Sequence, residues 1–352
     1  MPSGRVHYAL KYLRVLNELM GASFSRRGSS SLNYRVCLVI LHSSFTVLVL
    51  GDVWWWCSQY HPISTRLVKT IKFLLKVSLV VGAVFTPLWS KKNKVVTLIP
   101  SLESVDNLVS STEDNRKLLT HLDLFLLVLF SATCLTHHLL SRNKICDLIF
   151  DLLSDLEEFQ ALTIILTSLK LLTLLSNFLD ETNDHLQNSL YSSAPEIDTI
   201  GDRYKKLYRV LELWNDVHGV QLLQIFLYYF VVLVDSVVTL VTDFRLNGWG
   251  FSWKRVVVVE TALVYLVLSF YVSRTGHRVL QQKYKVSKII LTKLVRTGLT
   301  KCAEDSLIGL LRRIYTGPNF VSAADYFALD YSFMLSLLAA ITSYIVILLQ
   351  LE

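Results

Sequence analysis

Ionisable side chains inside long apolar stretches are the residues of this chain best placed to do chemistry. Four of them fall at a similar depth in separate stretches: Lys76, His137, Asp235 and Glu260. Two tyrosines, Tyr228 and Tyr229, lie near Asp235. A carboxylate at the centre of a membrane span costs roughly 2.5 kcal/mol or more, so such groups face water, a bound molecule or one another. Two interpretations stay open. One is a polar cleft that binds a small molecule from outside, and the other is an internal ion pair such as Lys76 with Asp235.

No arrangement of residues for catalysis or metal binding accompanies these groups. The sequence lacks the nucleophile, zinc-protease, phosphate-loop and dinucleotide motifs. His137 and His138 are adjacent, so they point to different faces of a helix, and the five cysteines show no CxxC spacing. We therefore expect no enzyme, no metal, no cofactor and no nucleic-acid partner, while a disulfide between Cys57 and Cys146 stays open.

The composition indicates a membrane protein with several spans. Hydrophobic residues make up 52% of the 352 residues and charged residues 18%, and the mean hydropathy is +0.44. These values are typical of a polytopic membrane protein rather than of a soluble domain. The apolar stretches predict an all-α chain with seven transmembrane helices, at about residues 36–57, 72–89, 118–140, 161–179, 220–242, 255–273 and 327–351.

Lysine and arginine placement predicts the orientation of these spans. With the N-terminus in the cytoplasm, 25 of the 35 lysines and arginines lie inside and nine outside, with Lys170 within the fourth span. The C-terminus is then extracellular. The predicted divisions are a cytoplasmic N-terminal segment at 1–35, six transmembrane helices with helical cytoplasmic extensions at 36–273, cytoplasmic helices at 274–326 and the seventh transmembrane helix at 327–352.

Two of the cytoplasmic regions have amphipathic helical spacing. One covers residues 204–214 and continues into the fifth span. The other covers residues 283–315 and ends before Gly317 and Pro318, which terminate helices. Their apolar faces bind partners or cover the chain's own domain.

The last stretch carries a recognisable motif. Ser343 and Tyr344 precede five apolar residues and then Gln350 and Leu351. This order resembles the C-terminal signature of insect gustatory receptors, which reads Thr-Tyr, five hydrophobic residues, Gln, Phe. Ser343 replaces the threonine, and Leu351 replaces the phenylalanine, as in the related odorant co-receptor. The segment 319–330 is also similar to the family's approach to its last span.

The resemblance implies a multi-pass channel of the insect chemoreceptor fold in the plasma membrane, expected in the dendrites of chemosensory neurons. It implies a ligand-gated, weakly selective channel for monovalent and divalent cations, formed as a homotetramer or a heterotetramer with other gustatory receptors and embedded in membrane lipid. Helices of segment 274–326 anchor the subunits, and the ligand cleft opens to the outside. The expected pore and gate residues are Ser343, Tyr344, Ile347, Gln350 and Leu351.

The ligand stays open among a sugar, a bitter compound and other small tastants, because no residue pattern matches a specific set of binding groups. Two other functions also stay open. One is a multi-pass secondary transporter, and the other is a receptor subunit that conducts nothing without a partner.

Overall fold

The computed structural model describes short helical stretches within residues 70–78 and 97–104, and then residues 145–188, 194–248, 252–295, 299–317 and 321–351. The longer segments form five helices and one small hairpin. These elements are α1 Ile145–Asn188, α2 Ala194–Asn247, α3 Trp253–Val295, α4 Lys301–Thr316, β1 Ser322–Ala323, β2 Phe327–Ala328 and α5 Tyr331–Leu351.

The first three of these helices are much longer than a membrane is thick. They contain 44, 54 and 43 residues, and helices of that length span roughly 65 to 80 Å at 1.5 Å per residue. The hydrocarbon core of a bilayer is about 30 Å thick. Each helix therefore has one apolar part that fits the membrane and a second part that extends beyond it.

Apolar windows in these helices agree with the predicted fourth, fifth and sixth spans. Length and composition mark Ala161–Asn188, Ala194–Arg245 and Arg255–Val295 as able to cross a membrane, and Tyr331–Ile347 is a shorter apolar helix. The last helix begins at Tyr331 rather than at the predicted residue 327, because Phe327 and Ala328 pair in β2. The predicted first and third spans lie outside the described residues, and the second is helical at its described positions from Thr70 to Ser78.

A single apolar core joins α1, α2 and α3. Side chains at helical spacing on α1, including Ile165 and Leu172, are fully buried. On the facing helices, Leu222 and Ile225 of α2 are also fully buried, and Leu268 of α3 is 1% exposed. Burying each such side chain stabilises the fold by about 1.5–3 kcal/mol relative to leaving it in water. In a membrane the gain comes from close packing, because lipid tails are themselves apolar.

Polar groups link the three helices at the far end of the bundle, where α1 ends and α2 begins. The buried Asn183 amide donates to the backbone oxygen of Gln282, at 3.0 Å, and to its Oε1, at 2.9 Å. The buried hydroxyl of Tyr204 donates to Asn183 Oδ1. Nearby, Lys285 donates to Asp180 at 2.8 Å and to Asp184 at 2.9 Å. These contacts hold the predicted extensions together as one unit.

Helix α4 lies against this unit. Thr300 caps its N-terminus by accepting a hydrogen bond from the Ala303 amide at 3.3 Å, and it ends at Thr316 before Gly317, as the sequence predicts. Its apolar face is buried within the same chain through four side chains, which are Ala303, Leu307, Leu310 and Ile314. Of the two interpretations of this amphipathic face, the described contacts therefore favour covering of the chain's own domain.

A short hairpin leads from α4 to α5. Ser322 pairs with Ala328 and Ala323 with Phe327, around a turn in which Ala324 and Asp325 have positive φ of 52° and 62°. Two helix glycines make room for this hairpin. A Cβ at Gly219 would lie 2.7 Å from the Ala324 nitrogen, and one at Gly276 would lie 2.0 Å from the Leu329 oxygen. The hairpin therefore sits in direct backbone contact with α2 and α3.

Candidate ligand cleft and pore helix

One side of α5 is packed onto the bundle by aromatic and branched side chains. Phe333 lies between Phe226 of α2, at 4.8 Å between ring centroids, and Phe327 of the hairpin, at 4.7 Å. One and two turns further on, Leu337 and Ile341 are each 7% exposed. This packed side fixes the rotation of α5 about its own axis.

The opposite side of α5 presents small, polar and a few apolar side chains to the surface. Ser336, Ser343, Ile347 and Gln350 recur at spacings of three, four and seven residues, which place them on one stripe, and Ile347 is 50% exposed. The Ser343 hydroxyl donates to the Ala339 backbone oxygen at 2.9 Å, so it needs no partner outside the helix. The predicted pore residues Ser343, Ile347 and Gln350 thus lie together on an exposed stripe.

The other two predicted pore residues, Tyr344 and Leu351, are placed differently from the three on the stripe. Tyr344 lies off this stripe and meets Phe230 of α2 with 5.3 Å between ring centroids, although the ring is 53% exposed. Leu351 is the last residue of the helix. Tyr344 is therefore placed as a contact between α5 and the bundle.

Asp330 fixes the beginning of α5. Its Oδ1 accepts hydrogen bonds from the amides of Ser332, at 2.9 Å, and Phe333, at 3.2 Å, and from the Ser332 hydroxyl, at 2.5 Å. Partial burial opposes ionisation, but these hydrogen bonds outweigh it and lower the pKa of Asp330 below its ordinary value. The sequence placed a carboxylate at the start of this helix, and the structure gives it the role of an N-cap.

A carboxylate and three tyrosines form a buried cluster between α1, α2 and α3. Glu158 of α1 accepts from the hydroxyl of Tyr228 at 2.8 Å and from that of Tyr265 at 3.0 Å. The Tyr265 ring stacks on Tyr229 with 4.1 Å between centroids. All three tyrosines are at most 3% exposed. The predicted cleft residues Tyr228 and Tyr229 therefore belong to one polar aromatic cluster, which we call the Glu158 cluster.

Asp235 forms an ion pair with Lys72 of the predicted second span. It lies two turns along α2 from Tyr228, and Lys72 donates to its Oδ2 at 3.2 Å, with side chains 34% and 21% exposed. Glu260 is half-buried in α3, five residues before Tyr265. Lys76 and His137 lie outside the described residues. Of the predicted cleft residues, the structure thus relates Asp235 to the second span and the two tyrosines to Glu158.

Sequence reasoning missed two members of this region, Glu158 and Tyr265. Glu158 precedes the predicted fourth span. The hydroxyls that donate to it belong to Tyr228, which is 70 positions further along the chain, and to Tyr265, which is 107 positions further along. No local spacing encodes such a pairing. The only available signal was a carboxylate three residues before a long apolar run.

Comparison with known proteins identifies the family. The family model of the 7tm chemosensory receptors matches residues 7–352. The chain belongs to this family, within the insect chemoreceptor superfamily. The receptor is therefore a multi-pass membrane protein with a seven-helix fold, and it is not an enzyme.

The receptor is similar to one gustatory receptor in part of its length. It is 24% identical to Gustatory receptor 23a of Drosophila melanogaster over 160 residues, which are 45% of this chain and 41% of that protein. The chain thus matches less than half the length of that relative.

Solved structures resemble the receptor over its whole length. The insect olfactory receptor OR5 from Machilis hrabei matches with a TM-score of 0.73 and 14% identity, with complete coverage of both chains. The same receptor in complex with eugenol matches with a TM-score of 0.65. At this identity the likeness establishes the fold.

Proposed function

We propose that this receptor is a gustatory receptor and one subunit of a ligand-gated, weakly selective cation channel, opened by a small extracellular tastant. The observation that carries the proposal is the exposed stripe of α5, which contains Ser343, Ile347 and Gln350. Family membership supports the receptor role, and the fold of the olfactory receptor supports the arrangement of helices.

The exposure of Gln350 favours an assembly of several copies. Moving an amide without hydrogen-bond partners from water into hydrocarbon costs about 2–7 kcal/mol, depending on the reference state. If copies of the chain turn their α5 stripes towards a common axis, Gln350 and Ser343 face water instead. A closed symmetric ring of subunits provides such an axis, and we propose a homotetramer or a heterotetramer with other gustatory receptors.

In this arrangement Ile347 forms the gate. Its side chain lies one turn from both Ser343 and Gln350 on the stripe, so a ring of such side chains makes an apolar constriction between polar positions. Apolar constrictions close by dewetting and conduct once they are widened. The described part of the stripe carries no charged side chain, which favours weak selectivity among monovalent and divalent cations.

The Glu158 cluster and the Lys72–Asp235 ion pair support a ligand cleft among the helices that hold them. Buried hydroxyls, a carboxylate and stacked rings supply the polar and aromatic contacts that small-molecule sites use. The olfactory receptor of the same fold was solved with eugenol, a small organic molecule. We propose that a tastant binds in this region from the extracellular side and favours the open state. The proposed location is the plasma membrane of chemosensory dendrites.

Replacing Ile347 tests the gate. Ile347→Ala widens the constriction, so we expect larger basal currents in whole-cell recordings than in the wild type. Leu338→Ala is the matched control, because Leu338 is 44% exposed and lies nine residues before Ile347, which places it on the opposite face of the helix. If Ile347→Ala leaves conductance, selectivity and block unchanged, or if the control changes them equally, the pore lies elsewhere. Ligand-evoked uptake without unitary currents would favour a transporter, and currents that need a second receptor would favour a non-conducting subunit.

Neutralising the carboxylates tests the cleft. Asp235→Asn and Glu260→Gln are expected to lower sensitivity to an active tastant in a graded manner, because each removes a negative charge near the proposed site. The measurement is a dose–response curve from calcium imaging across a tastant panel. Unchanged curves in both variants, at normal surface expression, would contradict the assignment.

A further inference from the structure

One exposed stripe of α3 is apolar over roughly 21 Å of the helix axis, about two thirds of the thickness of a bilayer's hydrocarbon core. Its members recur at spacings of three and four residues and are between 40% and 55% exposed: Val256, Val259, Leu263, Val267 and Phe270. Such spacing puts all five on one face of the helix. In the described structure this face points away from the core, as a lipid-facing surface does.

Two arginines continue the same stripe. Arg274 and Arg278 follow Phe270 at spacings of four residues, and both are exposed. Arg255 begins the apolar part at its other end, so Arg255 and Arg274 are separated by about 28 Å along the helix axis. That distance approaches the roughly 30 Å hydrocarbon thickness of a bilayer. A bilayer with one interface at Arg255 would place Arg274 and Arg278 at the level of the headgroups of the other leaflet.

Two other cations of α3 have partners within the protein. Arg255 is 8% exposed and donates to Asp243 and to the Gly248 backbone oxygen, at 2.7 Å from the latter. Lys285 donates to two aspartates, as described above. Among the described residues, no carboxylate lies within ion-pair distance of Arg274 or Arg278. Within the described part of the chain, their charges are available to an anion outside the protein.

We propose that Arg274 and Arg278 bind the headgroup of an anionic phospholipid, whose acyl chains lie along the stripe that ends at Val267 and Phe270. The apolar stripe and the two cations match the two parts of such a lipid. In the predicted orientation this end of α3 faces the cytoplasmic leaflet, which contains the anionic lipids.

The site lies beside the first residue of the last helix. The Tyr331 ring is 6.2 Å from that of Phe270 and 4.6 Å from that of His277, measured between centroids. Both partners are on the α3 turns that flank Arg274. A lipid bound at Arg274 therefore contacts the start of α5 as well as α3.

Lipid binding by the purified full-length receptor tests the proposal. The probe is short-chain phosphatidylserine in detergent, with phosphatidylcholine of the same chain length for comparison, and the readout is the apparent Kd by thermophoresis. A basic residue near an anionic surface contributes about fivefold in affinity, so the double variant Arg274→Gln, Arg278→Gln is expected to bind roughly thirtyfold more weakly. The matched control pair is Lys301→Gln with Arg312→Gln, which removes the same charge from exposed positions on α4.

These measurements involve no current, so the lipid proposal can be supported or rejected independently of channel function. Preference for phosphatidylserine that is lost in the α3 pair and kept in the α4 pair supports it. An unchanged Kd in the α3 pair, or an equal loss in both pairs, overturns it. Competition by soluble glycerol phosphate as strong as that by the lipid would also overturn it, because the site would then bind free phosphate. If the double variant elutes as aggregate, Arg274→Gln and Arg278→Gln singly carry the test, each with an expected loss of about fivefold.

Discussion

Substituting Gly276 with alanine is expected to destabilise the receptor by displacing the hairpin that precedes α5. The added Cβ would lie 2.0 Å from the Leu329 oxygen and 3.1 Å from the Leu329 carbonyl carbon, whereas ordinary contacts begin at 3.4 Å. The obstacle is backbone, so no side chain can rotate out of the way. Overpacking costs about 1–3 kcal/mol in typical cores, and we expect the upper part of that range because the hairpin must move by more than an ångström.

Gly309 supplies the matched control. It lies inside α4, and a Cβ there would meet nothing within 4 Å. Gly309→Ala is expected to be neutral or to stabilise by about 0.5–1 kcal/mol, because alanine loses less conformational entropy than glycine in a helix. The two substitutions thus add the same methyl group with opposite expected signs.

Thermal stability in detergent, followed by fluorescence-detected size-exclusion chromatography, measures both effects. Gly276→Ala should melt several degrees below the wild type, and Gly309→Ala should melt at or above it. Equal melting temperatures for Gly276→Ala and the wild type would show that the hairpin is not seated on α3 as described. A fall of the same size in both variants would refute the reasoning from backbone contact.

Two further predictions concern single hydrogen-bonding groups. Tyr204→Phe removes the hydroxyl that donates to the buried Asn183 oxygen, so the free energy of unfolding should fall by about 1–3 kcal/mol. Tyr284→Phe is the control, because this ring is 67% exposed and its loss of a hydroxyl should leave the melting temperature unchanged. Equal effects of the two substitutions would contradict a structural role for the contact between Tyr204 and Asn183. Asp330→Ala removes an N-cap and should cost about 0.5–2 kcal/mol at neutral pH. The fold lowers the pKa of Asp330, so the ionised side chain stabilises the folded receptor above its ordinary pKa near 4. This stabilisation is lost as the pH falls through the lower pKa of the folded state. In a pH series of melting curves, the difference in stability between the wild type and Asp330→Ala should therefore shrink below about pH 4. A difference that stays constant with pH would exclude an ionised cap.

Hydrophobic pattern and helix-terminating residues were sufficient to predict the long helices. The fourth, fifth and sixth spans lie within α1, α2 and α3, and the helix that precedes Gly317 ends where the sequence indicates. The amphipathic region predicted at 283–315 is divided between the end of α3, at Val295, and α4, which begins at Lys301. These features depend on residues close together in the chain, where helical spacing is visible directly. The C-terminal motif added the family, which the comparison confirms.

Contacts between distant segments were beyond the same reasoning. The strands of the hairpin have two residues each, too few to show alternation, so the segment 327–330 was predicted as helix. The sequence suggested Lys76 as a partner of Asp235, and nothing in the spacing pointed to the ion pair of Asp235 with Lys72, one turn earlier on the same predicted helix. Glu158 receives its tyrosine hydroxyls only after three helices are packed, so its role appears with the tertiary structure.

Contacts from the base of α5 up to Tyr344 make this helix move with the bundle as a rigid lever. Its base is clamped by the Asp330 cap and by the hairpin on Gly276, while its tip carries Gln350 some 30 Å away at 1.5 Å per residue. A tilt of only about 5° about that clamp carries the tip sideways by roughly 2.5 Å. Small rearrangements in the bundle are thereby magnified at the last turn of α5, which lines the aperture in the proposed channel.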